Sequence, residues 1–255
     1  MDKLAFLFLT IGKHKSEESW KLFFNNIDPL LYNIYCHPKN EKLLSNSFLK
    51  SHIIPDRVNT KWGDISLVKA TLCLLKYSYL DDNKNKYFIL ISDSCVPIID
   101  FSTIYKKITN NNNKSIIHYK LINNREDRYN RLPLFFKNKI DYKYFYSQHQ
   151  WMVLNRYHTN IFINNDFTNI FSKMHAADEH YFIIILYLKG EFKNITNHKI
   201  TYCDWSDKSS SHPKEFNIIN NNLLGKLYSE NLFFIRKISK QYKINLFLKY
   251  IYTHK

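Results

Sequence analysis

The sequence predicts an α/β fold: a mainly parallel, twisted sheet flanked by helices. Three observations carry that expectation. The chain opens on an apolar run, Lys3–Thr10, of the kind that fills a strand buried on both faces. Strand-like and helix-like patterns then alternate through the first hundred residues, as crossover connections between parallel strands require. Finally, the 255 residues are 45% hydrophobic and include 19 Tyr and 19 Phe, enough for a large core.

Each element has its own signal. Residues 17–26 set Trp20, Phe23 and Phe24 at helical spacing, with Glu17 and Glu18 favouring the positive end of a helix. Residues 31–37 read as a second strand. Residues 66–79 place Leu67, Ala70, Leu74, Leu75 and Ser78 on one helical face. Residues 87–91 form a third strand, ending in Ser92-Asp93-Ser94-Cys95-Val96-Pro97. Beyond a polar loop at 110–113, strands are expected at 115–121 and 151–154, and an apolar strand-like run precedes Arg236 and Lys237. Helices are expected at 167–174, 178–188 and 240–255, the last basic and aromatic. Residues 125–131 are densely charged, and 203–216 read as a structured loop. Trp151, inside an expected strand, reads as a core residue. In such sheets ligands bind beyond the carboxyl ends of the strands. Those ends are Thr10-Ile11-Gly12, His37-Pro38-Lys39 and Ser92-Asp93-Ser94.

Composition narrows the classes. With 37 basic and 22 acidic residues the net charge is +15, which favours anionic partners. Asn, Lys, Ile and Tyr, all with AT-rich codons, are heavily used, so the charge equally suits an AT-rich genome such as that of a virus or protist. Cys36, Cys73, Cys95 and Cys203 form no CxxC pair, which argues against a zinc site. The first apolar run is far shorter than the ~20 residues a membrane span needs. It begins almost at the initiator methionine and lacks a small-residue cleavage site, so neither a signal peptide nor a membrane anchor is expected. There is no GxSxG, HExxH, P-loop or GxGxxG motif. Nor is there an RRM, KH or helix-turn-helix signature, so no specific nucleic acid is expected.

An ordered set of segments remains. It runs from Ala5-Phe6-Leu7-Phe8-Leu9 and Ile34-Tyr35-Cys36-His37-Pro38 through Trp62-Gly63-Asp64-Ile65-Ser66-Leu67-Val68 to Phe88 to Pro97 and Phe101 to Tyr105. It continues with Arg128-Tyr129, Ser147-Gln148-His149-Gln150-Trp151, Asp178-Glu179-His180-Tyr181, Asp204-Trp205-Ser206, His212-Pro213 and Phe233-Phe234-Ile235-Arg236-Lys237. In this order, over about residues 3 to 240, the chain resembles the core-2/I-branching β-1,6-N-acetylglucosaminyltransferase family (glycosyltransferase family 14), in its plant-type pattern. With the AT-rich codon usage, a giant virus is the expected source.

The resemblance implies a GT-A type glycosyltransferase. It would transfer a sugar from a UDP donor, with inversion and without a divalent metal, to a carbohydrate or glycoprotein hydroxyl. GlcNAc is the first expected sugar and xylose the second; no cofactor beyond the UDP-sugar is expected. Residues 1–110 would form the nucleotide-sugar half, 111–240 the acceptor and catalytic half, and 241–255 a basic terminal helix. Family members usually carry an N-terminal Golgi anchor; without one, this chain is expected in the cytoplasm or with the virion or virus factory.

Residue by residue, Glu179 matches the family's catalytic glutamate. A carboxylate within reach of the acceptor hydroxyl can take its proton. On sequence alone, Asp178 and Glu179 equally suit the first turn of a helix. The third strand ends in Ser92-Asp93-Ser94-Cys95 and not in the DxD that most GT-A enzymes use to hold a metal. Charge neutralisation on the diphosphate would fall to Lys237 and Arg236, with Lys226 the nearest match for a second basic ligand. Trp205 matches an acceptor-stacking position. Glu126 and Arg128 lie where the family contacts acceptor, and Thr10, Ile11, His37 and Arg57 lie at or near its donor-nucleotide positions. Lys39 stands where animal members carry an Asp after the histidine. Two other classes remain open: a basic nucleic-acid or polyanion-binding module, and a catalytically inactive family member.

Overall fold

The computed structural model describes residues 1–253 apart from 123–125, 208 and 211. Arg125 of the charged segment and the last two residues of the expected tail helix lie outside the described residues.

The first half follows the expected alternation: β1 (Lys3–Thr10), α1 (Glu17–Phe24), β2 (Tyr32–Pro38), α2 (Ser66–Asp81), β3 (Asn85–Ser92), β4 (Val96–Pro97) and α3 (Phe101–Thr109). The second half is more broken. It holds β5 (Ser115–Ile116), β6 (Tyr119–Leu121), α4 (Glu126–Tyr129), α5 (Leu134–Lys137), β7 (Tyr146–Gln148), β8 (Val153–Asn155) and α6 (Arg156–Ile163). After these come α7 (Tyr181–Leu188), β9 (Ile195–Thr196), β10 (Thr201–Cys203), α8 (Asn221–Ser229), β11 (Phe234–Arg236) and α9 (Leu246–Thr253).

The main sheet has six strands in the order β2-β1-β3-β8-β5-β9. Only β8 opposes its neighbours, running antiparallel to β3 and β5. The central strand β1 pairs in parallel with β2 and β3. Its residues Leu4 to Phe8 are fully buried because helices cover both faces. On one face α1 lays Trp20 edge-on to Phe8 at 4.9 Å and Phe24 edge-on to Phe6 at 5.1 Å. Truncating one of these rings to Ala is expected to cost roughly 3–5 kcal/mol.

A second sheet, β10-β11-β4, branches from the end of β3. The link is braced by buried His14. Its Nδ1 accepts from the Ser16 N–H at 2.9 Å, which leaves Nε2 to donate to the Cys95 carbonyl at 2.9 Å. Burial pushes the His14 imidazole down to about 3, so it stays neutral. The terminal helix α9 anchors the chain end to this core. Its buried Tyr252 packs on Phe23 and donates its hydroxyl to the Pro97 carbonyl.

Four expectations are corrected. Residues 167–174 form successive turns and no helix, although buried Phe171 and Met174 mimic helical spacing. Asp166 accepts from the Thr168 N–H at 2.8 Å and opens a turn there instead. The expected helix at 178–188 divides into a single 3-10 turn, Ala177–Glu179, and then α7. The strand expected at 115–121 is two short strands, β5 and β6, in different sheets. Leu67, assigned to the core face of α2, is only half-buried and faces a cleft. Among the described residues, no helix is long and apolar enough to cross a membrane.

Candidate active site

A cleft of about 340 Å³ opens beyond the carboxyl ends of β1 and β3, where the main sheet meets the second one. Leu9, Thr10 and Ile11 line it together with Asp93 and Ser94. The Ile11 N–H donates to Asp93 Oδ2 at 3.1 Å, which ties the two strand ends together.

One wall is acidic. The chain enters it through Ala176, whose φ of 53° and ψ of 49° are left-handed. That conformation is unfavourable for a residue with a Cβ. It is held by the Ala176 N–H, which donates to the Gly63 carbonyl at 2.8 Å. Gly63 is itself left-handed, with φ 70°, and a Cβ there would lie 2.4 Å from His175 Cε1. Only glycine fits both constraints. The tight turn that follows presents Asp178 and Glu179 to the cleft.

Glu179 is half-exposed, and the buried Arg128 reaches it from behind: Nη1 lies 2.5 Å from Glu179 Oε2. Arg128 also donates to His180 Nε2 at 3.0 Å. His180 Nδ1 donates to the Tyr146 carbonyl at 2.8 Å, and the ring stacks on Phe145 at 4.7 Å. One ring nitrogen therefore accepts and the other donates, which defines a neutral tautomer. Asp178 is buried, and its Oδ1 has no hydrogen-bond partner. Burial, reinforced by the negative charge of Glu179, pushes its carboxyl up to about 7.

Another wall is basic. Arg236 ends β11 and holds its guanidinium 4.6 Å over the Trp151 ring. Trp151 is buried, as expected, yet also lines the cleft. Lys237 Nζ pairs with Glu215 at 2.9 Å, and Lys15 reaches the same carboxylate at 3.2 Å. The hydrogen bond from Lys237 is the main cause that holds the Glu215 carboxyl below its usual range. Over the mouth stand Trp205, 55% exposed, and Trp62, 66% exposed.

The cleft thus gathers Thr10, Ile11, Glu179, Trp205, Arg236 and Lys237 of the sequence-derived set. It does not gather the rest. His37 is fully buried, and its Nε2 accepts from the Val58 N–H at 3.0 Å. Arg57 pairs with Glu41 at 2.6 Å in a separate shallow groove. Glu126 is exposed at the start of α4 and does not line the cleft. Arg128 acts through Glu179 and not as part of the lining. Lys226 sits on α8, 4.0 Å from Glu230, away from the cleft. Sequence reasoning did not assign Asp178, Trp62, Gln150 and Leu67 to the cleft. The tryptophan beside a glycine in Trp62-Gly63 was the one usable signal. Among the described residues no three His, Cys, Asp or Glu side chains cluster as a metal-holding group.

Chemically, the arrangement offers a half-exposed carboxylate on one side and two cations on another. Two indoles suited to the apolar face of a sugar stand at the mouth. A family model described as core-2/I-branching enzyme matches residues 4–228. Among curated proteins, the chain is 24% identical over 247 residues to the glycosyltransferase BC10 of Oryza sativa subsp. japonica. That alignment covers 84% of this chain and 60% of the rice protein, so the chain spans well under two thirds of its relative's length.

Proposed function

Because the chain belongs to the core-2/I-branching enzyme family, we propose that it is an inverting glycosyltransferase that moves a sugar from a UDP donor to a glycan or glycoprotein hydroxyl. The observation that carries this reading is the separation of charge in one cleft: Glu179 on one wall, Arg236 and Lys237 on another. Single displacement needs that separation. Glu179 takes the proton from the acceptor hydroxyl as its oxygen attacks the anomeric carbon. The bond from that carbon to the diphosphate breaks at the same time, and its electron pair leaves with UDP. Arg236 and Lys237 stabilise the charge that builds on the departing phosphate. The uridine lies against the strand ends at Thr10 and Ile11, and the acceptor sugar against Trp205. Arg128 is a positioning residue that fixes the rotamer of Glu179. UDP-GlcNAc is the first donor proposed and UDP-xylose the second, with no divalent metal required.

The test is a melting and turnover screen with UDP, UDP-GlcNAc, UDP-xylose, UDP-glucose and UDP-galactose, with and without EDTA. Stabilisation by one UDP-sugar that survives EDTA supports the reading and names the donor. Stabilisation that disappears with EDTA overturns the metal-free part and shifts attention to Asp93. An absence of any UDP effect overturns the reading in favour of an inactive family member.

A further inference from the structure

On the outer side of the acidic wall runs a second, shallower groove of about 250 Å³. It shares Trp62 and Gly63 with the cleft, so the two adjoin at these residues. One side is the segment that runs directly into Ala176 and Glu179, and includes Lys173 and His175. The other side includes Arg131, three residues beyond the Arg128 that holds Glu179. The groove therefore adjoins the cleft at Gly63, whose carbonyl holds Ala176 at the entry to the acidic wall, and includes none of the strand-end residues proposed for the nucleotide.

The groove lining carries three basic side chains and one acidic one, so it is net positive. Lys61, Arg131 and Lys173 are exposed and form no ion pair among the described residues. The one carboxylate in the lining, Asp64, offsets part of that charge through Lys61, and its Oδ1 accepts from the Ser66 N–H at 2.8 Å. Hydrogen bonds from Ser66 hold its carboxyl below the usual range. Trp62 lines the same groove, edge-on to His175 at 5.4 Å and to His212 at 6.0 Å. Its indole is two-thirds exposed and flanked by rings that fix its orientation. An aromatic platform beside unpaired cations suits a pyranose that carries an anionic group. The indole takes the apolar face of the ring, and the cations take the charge.

We propose that this groove is an acceptor subsite for an acidic glycan, one with a carboxylate-bearing sugar next to the residue that receives the transferred sugar. This rests on the glycosyltransferase reading, and it adds a substrate class to it. A nucleic acid is the less suitable occupant: the groove is short and adjoins the cleft.

The test is direct binding, so it does not depend on turnover. Trigalacturonic acid and its neutral counterpart, the galactose trimer, are titrated by calorimetry into wild-type protein. The same titrations are made on a groove variant (Lys61→Ala, Arg131→Ala, Lys173→Ala) and on a charge-matched control (Lys106→Ala, Lys107→Ala, Lys193→Ala). Exposed ion pairs are each worth a fraction of a kcal/mol to about 1 kcal/mol, so losing three should weaken binding roughly tenfold. The expected result is that trigalacturonic acid binds wild type and control alike and the groove variant about tenfold more weakly. The neutral trimer should bind all three equally poorly. Equal weakening in the control would reduce the effect to net charge and overturn the subsite. Equal binding of the neutral trimer, or no binding of the acidic one to wild type, would overturn it too. The UDP melting shift is recorded on every protein. Its absence from wild type indicts the glycosyltransferase reading alone, and its persistence in the groove variant shows that the fold is intact.

Discussion

The acidic and basic walls of the cleft are built in opposite ways. Arg236 closes β11, which pairs with β10 and β4, and Lys237 follows it directly. Glu179 comes from a single turn entered through a left-handed alanine, locked to a left-handed glycine and backed by a buried Arg128–His180 contact. Beside it lies Asp178, a buried carboxyl with one unpartnered oxygen. The basic side chains thus leave the end of a paired strand, whereas the acidic wall combines a left-handed entry residue with a buried carboxyl oxygen that has no partner. Such features persist where surrounding structure over-determines them, and they gather at functional sites. Substitutions that never touch the carboxylate should therefore damage the acidic wall.

The largest effects separate the two walls by kinetics. Glu179→Gln is expected to lower transfer about 10²–10⁴-fold, the usual contribution of a general base, with UDP affinity essentially unchanged. Lys237→Ala is expected to lower transfer about 10²–10³-fold and to weaken UDP as well, because the cation meets the diphosphate before and during departure. Steady-state turnover and UDP titration check both. Full activity in Glu179→Gln would remove the assigned base, and unchanged UDP affinity in Lys237→Ala would dissolve the contrast.

Next in size is the pH dependence of stability. The Asp178 carboxyl is pushed from 3.8 up to about 7, so between those values the folded protein binds a proton that the unfolded chain has lost. Folding stability must then fall as pH rises from about 4 to about 7 and level off above. Complete transfer of that shift would amount to roughly 4 kcal/mol. Asp178→Asn removes the ionisation, so the variant should lose this slope and exceed wild type in stability at pH 8. Denaturant titrations across the range decide it, and parallel curves for the two proteins would show that Asp178 is not held neutral. Gly63→Ala is expected to cost about 1–3 kcal/mol, from a strained φ and the clash with His175. It should lower transfer more than it lowers UDP affinity. An unchanged melting temperature would mean that the Gly63–Ala176 lock does not hold the wall.

The same contrast explains what could be read from sequence. The strands and helices of the first half were legible because β1 and β3 are long and apolar, and α1 and α2 are amphipathic. The second half extends the same sheet with strands of two or three residues, such as Ser115–Ile116 and Val153–Asn155, too short to show any period. Helices α3, α6 and α8 left a different trace. Each is capped by an Asp or Asn side chain that accepts from a backbone N–H three residues on: Asp100 to Thr103, Asn155 to His158 and Asn220 to Leu223. In a chain so rich in Asn, that signal is lost among many similar ones. In the site, the resemblance pointed to Glu179, Lys237 and Trp205 as single residues. It could not show that Arg128 supports Glu179 from behind, or that Leu67 turns from the core to the cleft. Both depend on how distant segments cross.

The smallest expected effect concerns the mouth of the cleft, which belongs to neither wall. Trp205 is 55% exposed and follows Asp204, whose Oδ1 accepts from the Ser206 N–H at 2.9 Å. That bond fixes the backbone on both sides of the indole while leaving its face free. An exposed ring held this way gains little from folding, so Trp205→Ala should change stability by only about 0.5 kcal/mol. If the indole stacks on the acceptor, its loss should raise the acceptor KM roughly tenfold, with kcat and UDP affinity nearly constant. Trp205→Phe should recover most of that loss, because a smaller ring still covers the apolar face of a pyranose. A fall in kcat at unchanged KM would place Trp205 with the acidic wall, as a residue that acts on the reacting geometry. Loss of UDP affinity would place it with the basic wall, and either result would redraw the boundary between them.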